Sequence, residues 1–295
     1  MLGQAIRGIP VGVLTSSYAG VLTMVVMLVI GSTLRLTDLV AVFKRPRALL
    51  VGLAGQQVLV PIVGLTLASG LGGSPCLALA IVALVPGGAA STILTAAAGG
   101  NTALSAVLTL CSNVMVAIWV PLLLAVATGI CGTDALAGDM DFAGLALRLA
   151  LVSALPLLAG MVAASLFPRL MGRMQPYLAH MASAIFVIFV AWILWDDRAN
   201  LVSYVSGAGL LVPVQLLLCG TAAWLAARLF RFGTATRTAL LFEWGVQNVP
   251  LAILVALSMG ATSMALPSAA YGLQQLAVGL VLALILRQRA RAAIA

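Results

Sequence analysis

Between positions 48 and 133 the sequence contains no charged residue. One helical membrane crossing needs roughly 20 apolar residues, so this stretch is long enough for several crossings. Across the chain, 7% of the residues are charged and 63% are apolar, whereas soluble domains carry about 25% charged residues. Such a chain cannot cover a soluble core with a charged surface, so the lipid bilayer is the solvent that suits it.

The apolar segments predict helices rather than a barrel. Membrane-spanning segments are α-helices or closed β-barrels, and the apolar runs here show no strict apolar/polar alternation. Turn-forming clusters at residues 70–75 and 98–101 divide the charge-free stretch into three spans. We therefore predict one all-α membrane domain over residues 1–295. Its nine transmembrane helices lie near 14–34, 48–69, 76–97, 102–127, 143–167, 176–195, 201–227, 237–259 and 265–286.

The placement of charge predicts the orientation. Twelve of the 15 basic residues lie in the connections 35–47, 168–175 and 228–237 and in the C-terminal tail, and the positive-inside rule assigns these to the cytoplasm. The opposite connections carry Asp134, Asp139, Asp141, Asp196 and Asp197. We predict a multi-pass protein of the cell (inner or plasma) membrane, with its N-terminus outside and its C-terminus in the cytoplasm. Because topology explains the basic charge, we expect no nucleic-acid partner.

The four cysteines show no metal-ligand spacing. Cys111 and Cys219 fall inside apolar spans, where a free thiol behaves as a small hydrophobic group. We expect neither a disulfide nor a metal site from Cys76 and Cys131, the other two.

Two of the predicted spans contain helix-breaking residues. The third holds Pro86-Gly87-Gly88, which alone is also typical of a packing kink. The eighth holds a polar run that starts at Glu243 and ends at Pro250. Interrupted spans at matching places of two halves indicate a secondary transporter with inverted repeats, here about 14–127 and about 143–286.

Glu243 is the only glutamate in the chain. An ionisable residue inside a membrane span is a functional hypothesis by default, because burying it is costly. Two alternatives are a protonated structural residue and an interfacial residue close to Arg237. The polar residues that follow Glu243 into the span favour the functional interpretation.

Three motifs in order resemble the bile acid:sodium symporter family. The first is Phe43-Lys44-Arg45-Pro46 with Gln56 and Pro61, the second Pro86 to Ser91, and the third Glu243 to Asn248. The resemblance covers residues 20 to 286 and implies a nine-helix form with two crossed broken helices. It further implies a core domain that holds this crossing and a panel domain that moves against it.

The resemblance also implies sodium as the coupling ion, with one or two ions bound. One site would use Ser91, Ser105, Thr109 and Glu243, and the other Gln56, Glu243 and Gln247 with the carbonyls of Trp244 and Val246. The family motif has asparagine where this chain has Thr92, a shorter ligand, which puts the first site in doubt. Asn113, one turn beyond Thr109, is our hypothesis for a compensating ligand; the alternative is that it bonds a neighbouring helix.

Substrate would bind where the two half-helices begin, and helix N-termini favour anions. The candidate residues are Ala89, Ala90, Asn248, Gln274 and Gln275. No lysine or arginine lies in the central part of these spans, so backbone amides and bound sodium would compensate an anionic group.

The function predicted is sodium-coupled symport of an organic anion, either bile-acid-like or a small carboxylate, by alternating access. Proton-coupled or sodium-independent anion transport and a non-transporting receptor are the alternatives. An enzyme is not expected, because one isolated glutamate and the remote His180 form no nucleophile–base pair. The sequence leaves the substrate's identity and the oligomeric state open.

Overall fold

The computed structural model describes residues 11–34, 36–44, 46–133, 141–196, 198–200, 209, 211–259 and 264–292. Within these residues every regular element is a helix, in agreement with the all-α prediction. Asp134, Asp139 and Asp197 of the predicted outer connections, and the start of the span predicted near 201–227, lie outside the described residues.

The helices alternate between long continuous elements and short elements joined at breaks. The first half contains α1 (Val11–Thr33), α2 (Leu36–Phe43), α3 (Pro46–Ala54), α4 (Val60–Ser69), α5 (Gly73–Leu84), α6 (Ala89–Ala97) and α7 (Thr102–Cys131). The second half contains α8 (Phe142–Leu149), α9 (Leu155–Leu166), α10 (Pro168–Asp196), α11 (Leu211–Leu229), α12 (Thr234–Gly245), α13 (Val249–Ser258) and α14 (Ala265–Ala292). Turns of π-helix, Gly55–Leu59 and Ala150–Ala154, join α3 to α4 and α8 to α9, and a short 3-10 turn spans Arg198–Asn200.

Six continuous stretches of the described chain are long and apolar enough to cross a membrane. They are Pro46–Ser69, Thr102–Cys131, Phe142–Leu166, Leu211–Leu229, Thr234–Ser258 and Ala265–Arg289. Two bent pairs, Tyr18–Thr33 with Thr37–Phe43 and Gly73–Leu84 with Ala89–Ala97, raise the number to eight if each pair is one span. The chain is therefore a multi-pass membrane protein. The span predicted near 176–195 lies in α10, which is not among these candidates, so nine spans stay a prediction.

The two broken spans occupy the centre of the molecule. In α5 every residue from Cys76 to Leu84 is buried, and in α13 every residue from Val249 to Leu257 is buried. A helix that is apolar on all sides suits the interior of a protein as well as the lipid. The outer helices instead expose large apolar side chains, such as Ile118 and Leu122 of α7, as a bilayer-facing surface requires.

Helices α1, α9 and α10 pack against one another on one side of the molecule. Gly31 of α1 lies directly against the backbone of Leu157, and Gly160 of α9 lies against the backbone of Leu28. Small residues at such places let membrane helices approach closely. The division of the chain into core and panel domains stays a prediction.

The expectation that Cys76 and Cys131 are free was wrong, because they form a disulfide with a Cα–Cα distance of 5.5 Å. Cys76 lies in the first turn of α5 and Cys131 is the last residue of α7. The two are 55 residues apart in the sequence, and only the packing of α5 against α7 brings them together. Cys111 and Cys219 are free.

Candidate functional site

The two helix breaks meet at their irregular backbone. The amide of Asn248, at the end of the break between α12 and α13, donates to the carbonyl of Pro86 at 2.8 Å. Glycine allows close approach on the other side, since a Cβ atom on Gly87 would lie 2.8 Å from Oε2 of Glu243 and the carboxylate would have to shift. A Cβ atom on Gly88 would lie 3.2 Å from the Cα atom of Asn248. The first break is bent by 60°.

Glu243, in the last turns of α12, is 2% exposed, and three hydroxyl groups donate to its carboxylate. Ser91 donates to Oε1 at 2.6 Å and Ser105 at 2.5 Å. Thr109 lies 3.3 Å from Oε1 and 3.2 Å from Oε2. Ser91 belongs to α6, whereas Ser105 and Thr109 occupy one face of α7. The structure thus brings together all four residues of the first predicted sodium site, and their ion-binding role stays a prediction.

Thr92, where the family motif has asparagine, also reaches this group. Its Oγ1 atom lies 3.1 Å from Oγ of Ser105, and the residue is partly buried. Because Ser105 donates its single proton to Glu243, the Thr92 hydroxyl is the donor in this pair. Thr92 therefore lies at the edge of the Glu243 cluster, in contact with one of its hydroxyls.

Gln56 and Gln247 form a second polar pair next to the breaks. The Gln56 amide donates to Oε1 of Gln247 at 3.0 Å and to the carbonyl of Val85 at 3.4 Å. The Gln247 amide in turn donates to the carbonyl of Trp244 at 2.9 Å. The Oε1 atom of Gln56 is buried without a hydrogen-bond partner. Most buried polar atoms in proteins have a hydrogen-bond partner, and this oxygen lacks one.

The donor types at both groups fit an alkali cation. A carboxylate, hydroxyls and carboxamide oxygens are the ligands that hard cations prefer. Among the described residues, no three His, Cys, Asp or Glu side chains cluster as a transition metal would require. The unpartnered Oε1 atom of Gln56 is the strongest local indication, because a bound cation would satisfy it.

A cavity of about 340 Å³ lies beside the two breaks. Of the predicted substrate residues, Ala89, Ala90, Asn248 and Gln275 line it, together with Gln247 from the predicted ion site. Gln274 does not line it, and its amide donates instead to the carbonyl of Gly209 at 3.3 Å. The remaining walls are almost entirely apolar, from Val26, Val29, Gly88, Ile93, Leu94, Val187, Val249, Pro250, Leu276 and Leu280.

The polar end of the cavity is built from backbone and carboxamides. Helices α6 and α13 both begin there, and a helix N-terminus attracts negative charge. The Gln275 side chain bonds both backbone groups of Gln247: it accepts from the backbone amide at 2.8 Å and donates to the backbone carbonyl at 3.0 Å. None of the residues that line the cavity carries a charge.

Three residues near the breaks make contacts that the sequence interpretation left open or missed. Asn113 is fully buried, and its amide donates to the carbonyls of Gly87 and Thr109. Its Oδ1 atom accepts from Ser153 at 2.8 Å, a residue that we did not predict. Tyr271, also not predicted, donates to the carbonyl of Gly245 at 3.0 Å. A hydroxyl inside an otherwise apolar span was the available signal for Ser153.

Broken helices that meet around a buried ionisable residue define a class of protein, the secondary active transporters of the membrane. Comparison with known families agrees: the model of the sodium bile acid symporter family matches residues 21–204. The chain belongs to this family of sodium-dependent transporters.

Individual relatives are similar over most of the chain. A probable chloroplastic sodium/metabolite cotransporter BASS2 of Oryza sativa subsp. japonica is 31% identical over 241 residues, which are 78% of this chain and 54% of the relative. The uncharacterized sodium-dependent transporter YocS of Bacillus subtilis is 26% identical, over 87% of this chain and 78% of the relative. The probable chloroplastic sodium/metabolite cotransporter BASS1 of Arabidopsis thaliana is 30% identical, over 90% of this chain and 66% of the relative. This chain thus spans about half to two thirds of the two plant relatives.

Proposed function

We propose that this protein is a sodium-coupled symporter that carries a small organic anion across the cell membrane by alternating access. The observation that carries the proposal is the buried carboxylate of Glu243, which three hydroxyls from two other helices surround directly at the meeting point of two broken helices. The family membership supports sodium as the coupling ion.

The residues around Glu243 would hold one or two sodium ions. Ser91, Ser105 and Thr109 present hydroxyl oxygens to the carboxylate. Gln56 presents an unpartnered carboxamide oxygen next to Gln247, which follows Glu243 by four residues. Each ion would offset the cost of burying the carboxylate, so ion binding would stabilise the arrangement in which the two breaks are joined.

The cavity beside the breaks would hold the substrate. Its apolar walls suit the body of an organic molecule, and the N-termini of α6 and α13 suit a carboxylate or a similar anionic group. No lysine or arginine lines the cavity, so the sodium ions bound close by would supply the positive charge. Substrate affinity would therefore depend on sodium.

Alternating access would come from movement across this cavity. One wall belongs to α1 and α10, through Val26, Val29 and Val187, and the opposite wall belongs to the broken spans and α14. Separation of these two groups on one side and closure on the other would expose the site in turn, as in other transporters with repeats.

The orientation proposed is N-terminus outside and C-terminus in the cytoplasm. The amide of Asn101, at the start of α7, donates to the carbonyl of Ala235, near the basic residues Arg231 and Arg237. The Cys76–Cys131 disulfide lies at the opposite end of α7. Basic residues favour the cytoplasm, and disulfides persist in oxidising compartments. The basic residues and the disulfide therefore support the same orientation.

Uptake into proteoliposomes tests the function. The purified protein would be given a graded series of anions, from acetate and octanoate to cholate, with an inward gradient of either sodium or potassium. We expect sodium-driven uptake of at least one anion, loss of that uptake in Glu243→Ala, and retention in Asp141→Asn. Asp141 is an exposed helix cap, and asparagine serves equally well there.

The alternatives give different results in the same assay. Uptake that follows a proton gradient and ignores sodium would support proton coupling through Glu243. Binding of an anion without uptake under any gradient would support a receptor.

A further inference from the structure

Asn113 contacts a residue of the proposed ion site, a residue of the cavity wall and the turn that joins α8 to α9. We infer that it is a positioning residue that transmits sodium occupancy at Glu243 to the opposite wall of the cavity, through its hydrogen bond with Ser153. The inference rests on the proposed function.

The donor side of the Asn113 carboxamide contacts two backbone carbonyls next to the proposed ion site. Its Nδ2 atom lies 3.1 Å from the carbonyl of Gly87, in the first helix break, and 2.8 Å from the carbonyl of Thr109. The hydroxyl of this same Thr109 contacts both carboxylate oxygens of Glu243. A shift of Thr109 or Gly87 on ion binding would therefore move the Asn113 side chain.

The acceptor side of the same carboxamide contacts a residue of the cavity wall and a residue of another helical segment. Oδ1 accepts from Ser153 at 2.8 Å and from Nδ2 of Asn248 at 3.4 Å. Asn248 lines the cavity, and its own Oδ1 atom caps α13 through the amide of Leu251. The two donors and two lone pairs of Asn113 are thus all in use, and Asn113 and Ser153 are fully buried.

Ser153 connects Asn113 to the helices across the cavity. It lies in the π-helical turn Ala150–Ala154, and such turns occur frequently at functional sites. This turn leads into α9, which packs against α1 and α10. Those helices supply Val26, Val29 and Val187 to the cavity wall. The Ser153–Asn113 hydrogen bond is therefore a direct link between the helices that bind the ion and the helices across the cavity.

This role differs from that of a sodium ligand. In the structure, Oδ1 of Asn113 accepts from Ser153 and Asn248. Nδ2 donates to the carbonyl of Thr109 in its own helix and to that of Gly87. A positioning residue changes how the cavity responds to sodium, whereas a ligand changes the affinity for sodium itself. The two hypotheses can be separated with sodium alone as the probe.

The experiment measures two quantities on the full chain in detergent or nanodiscs. The first is the sodium concentration that gives half-maximal thermal stabilisation, with potassium as the reference. The second is the change that sodium causes in the alkylation rate of a cysteine introduced by Val187→Cys on the cavity wall. The same protein without that cysteine reports the background from Cys111 and Cys219.

We expect Ser153→Ala and Asn113→Ala each to reduce the sodium-dependent change in alkylation about fivefold or more, a typical size for coupling between sites. The sodium affinity should stay within about threefold, well under the effect of losing a ligand. Combining both substitutions should add little, because each breaks the same hydrogen bond.

Ser153→Thr, which keeps the hydroxyl, should retain the response. Ser112→Ala is the matched control, since that buried hydroxyl bonds only carbonyls of its own helix.

Three results would overturn the inference while sodium still stabilises the wild-type protein. They are an unchanged response in Ser153→Ala, no response at Val187→Cys in the wild-type background, and a loss of sodium affinity about tenfold or more in Asn113→Ala, which would make it a ligand. If Asn113→Ala does not fold, the comparison of Ser153→Ala with Ser153→Thr decides alone. A wild-type protein that sodium does not stabilise would refute the proposed function, and the inference with it.

Discussion

A carboxylate in the interior of a membrane domain needs hydrogen-bond donors or a cation to remain ionised. Glu243 has three hydroxyl donors, and hydrogen bonds to a charged group contribute about 1.5–3 kcal/mol each. Burial of an unpaired charge costs more than these bonds return. The remaining deficit is the physical reason for the cation that we propose at Glu243, and it makes the individual candidate ligands testable.

Thr92 tests the first group of ligands. Thr92→Asn would extend a carboxamide oxygen towards Ser105 and Glu243, so we expect the half-saturating sodium concentration to fall about tenfold, equivalent to about 1.4 kcal/mol. Thr92→Val, which keeps the shape and removes the hydroxyl, should raise that concentration. Sodium titration by thermal shift measures both. An unchanged concentration in Thr92→Asn would mean that position 92 does not contact the ion.

Gln56 tests the second group. Gln56→Leu removes the unpartnered oxygen and the contact with Gln247, so we expect the number of sodium ions transported per substrate to fall, or the half-saturating sodium concentration to rise about tenfold. Gln57→Leu is the control, because Gln57 is the buried neighbour on the same turn and its side-chain amide donates to the sulfur of Met115. The bond from Trp119 to the backbone carbonyl of Gln57 does not depend on the side chain. Equal effects of the two substitutions would assign Gln56 a packing role.

At the scale of the helices, the two breaks are the places where buried half-helices meet. Each ends a buried half-helix and starts another, and one backbone hydrogen bond joins Asn248 to Pro86. Proline and glycine explain why the third span breaks at this place. The second break has no proline at its start, and Gln275 and Tyr271 of α14 instead satisfy its free backbone groups at Gln247 and Gly245.

Gly87 is the sharpest test of this geometry. In Gly87→Ala the added Cβ atom would lie 2.8 Å from the Glu243 carboxylate, so we expect sodium-dependent stabilisation to be lost. Gly172→Ala is the matched control, because nothing lies within 4 Å of the added atom. Alanine is the better helix former by about 1 kcal/mol, so this control should be neutral or slightly stabilising. Sodium stabilisation that survives in Gly87→Ala would show that the breaks do not sit against the ion site as described.

The sequence was sufficient to predict the broken helices, because helix breakers leave local signals. The resemblance to the family, and not a local signal, supplied the three hydroxyl residues that contact Glu243 in the structure. The sequence was not sufficient where neighbouring positions compete. Successive helix residues are rotated by about 100°, so Gln274 and Gln275 face different ways, and only Gln275 lines the cavity. Ser153 and the Cys76–Cys131 disulfide depend on which helices pack together, and contacts over such distances leave no pattern in one sequence.

For the whole molecule, the disulfide lies at the opposite end of α7 from the basic residues Arg231 and Arg237. Cys76 and Cys131 close a loop of 55 residues, and loss of a disulfide typically costs about 2–5 kcal/mol. We expect Cys76→Ser to lower the melting temperature of the protein measurably. Cys219→Ser, which changes a buried free thiol, serves as a control for substitution of a buried cysteine.

The outer connection after α7 reports the orientation. In intact spheroplasts, a membrane-impermeant maleimide should label a cysteine introduced by Asp141→Cys, because Asp141 is exposed and we place this connection on the outer side. Labelling that requires permeabilised membranes would reverse the proposed orientation.

The most direct test of the account is the binding of radioactive sodium to the purified protein, measured for the wild type and for Glu243→Gln. The carboxamide has nearly the same shape as the carboxylate and lacks its charge, so the helix breaks should remain intact. We predict saturable binding of one or two ions per wild-type chain and no detectable saturable binding to Glu243→Gln. Binding of the same number of ions with unchanged affinity in Glu243→Gln would contradict the central claim that Glu243 holds the ion.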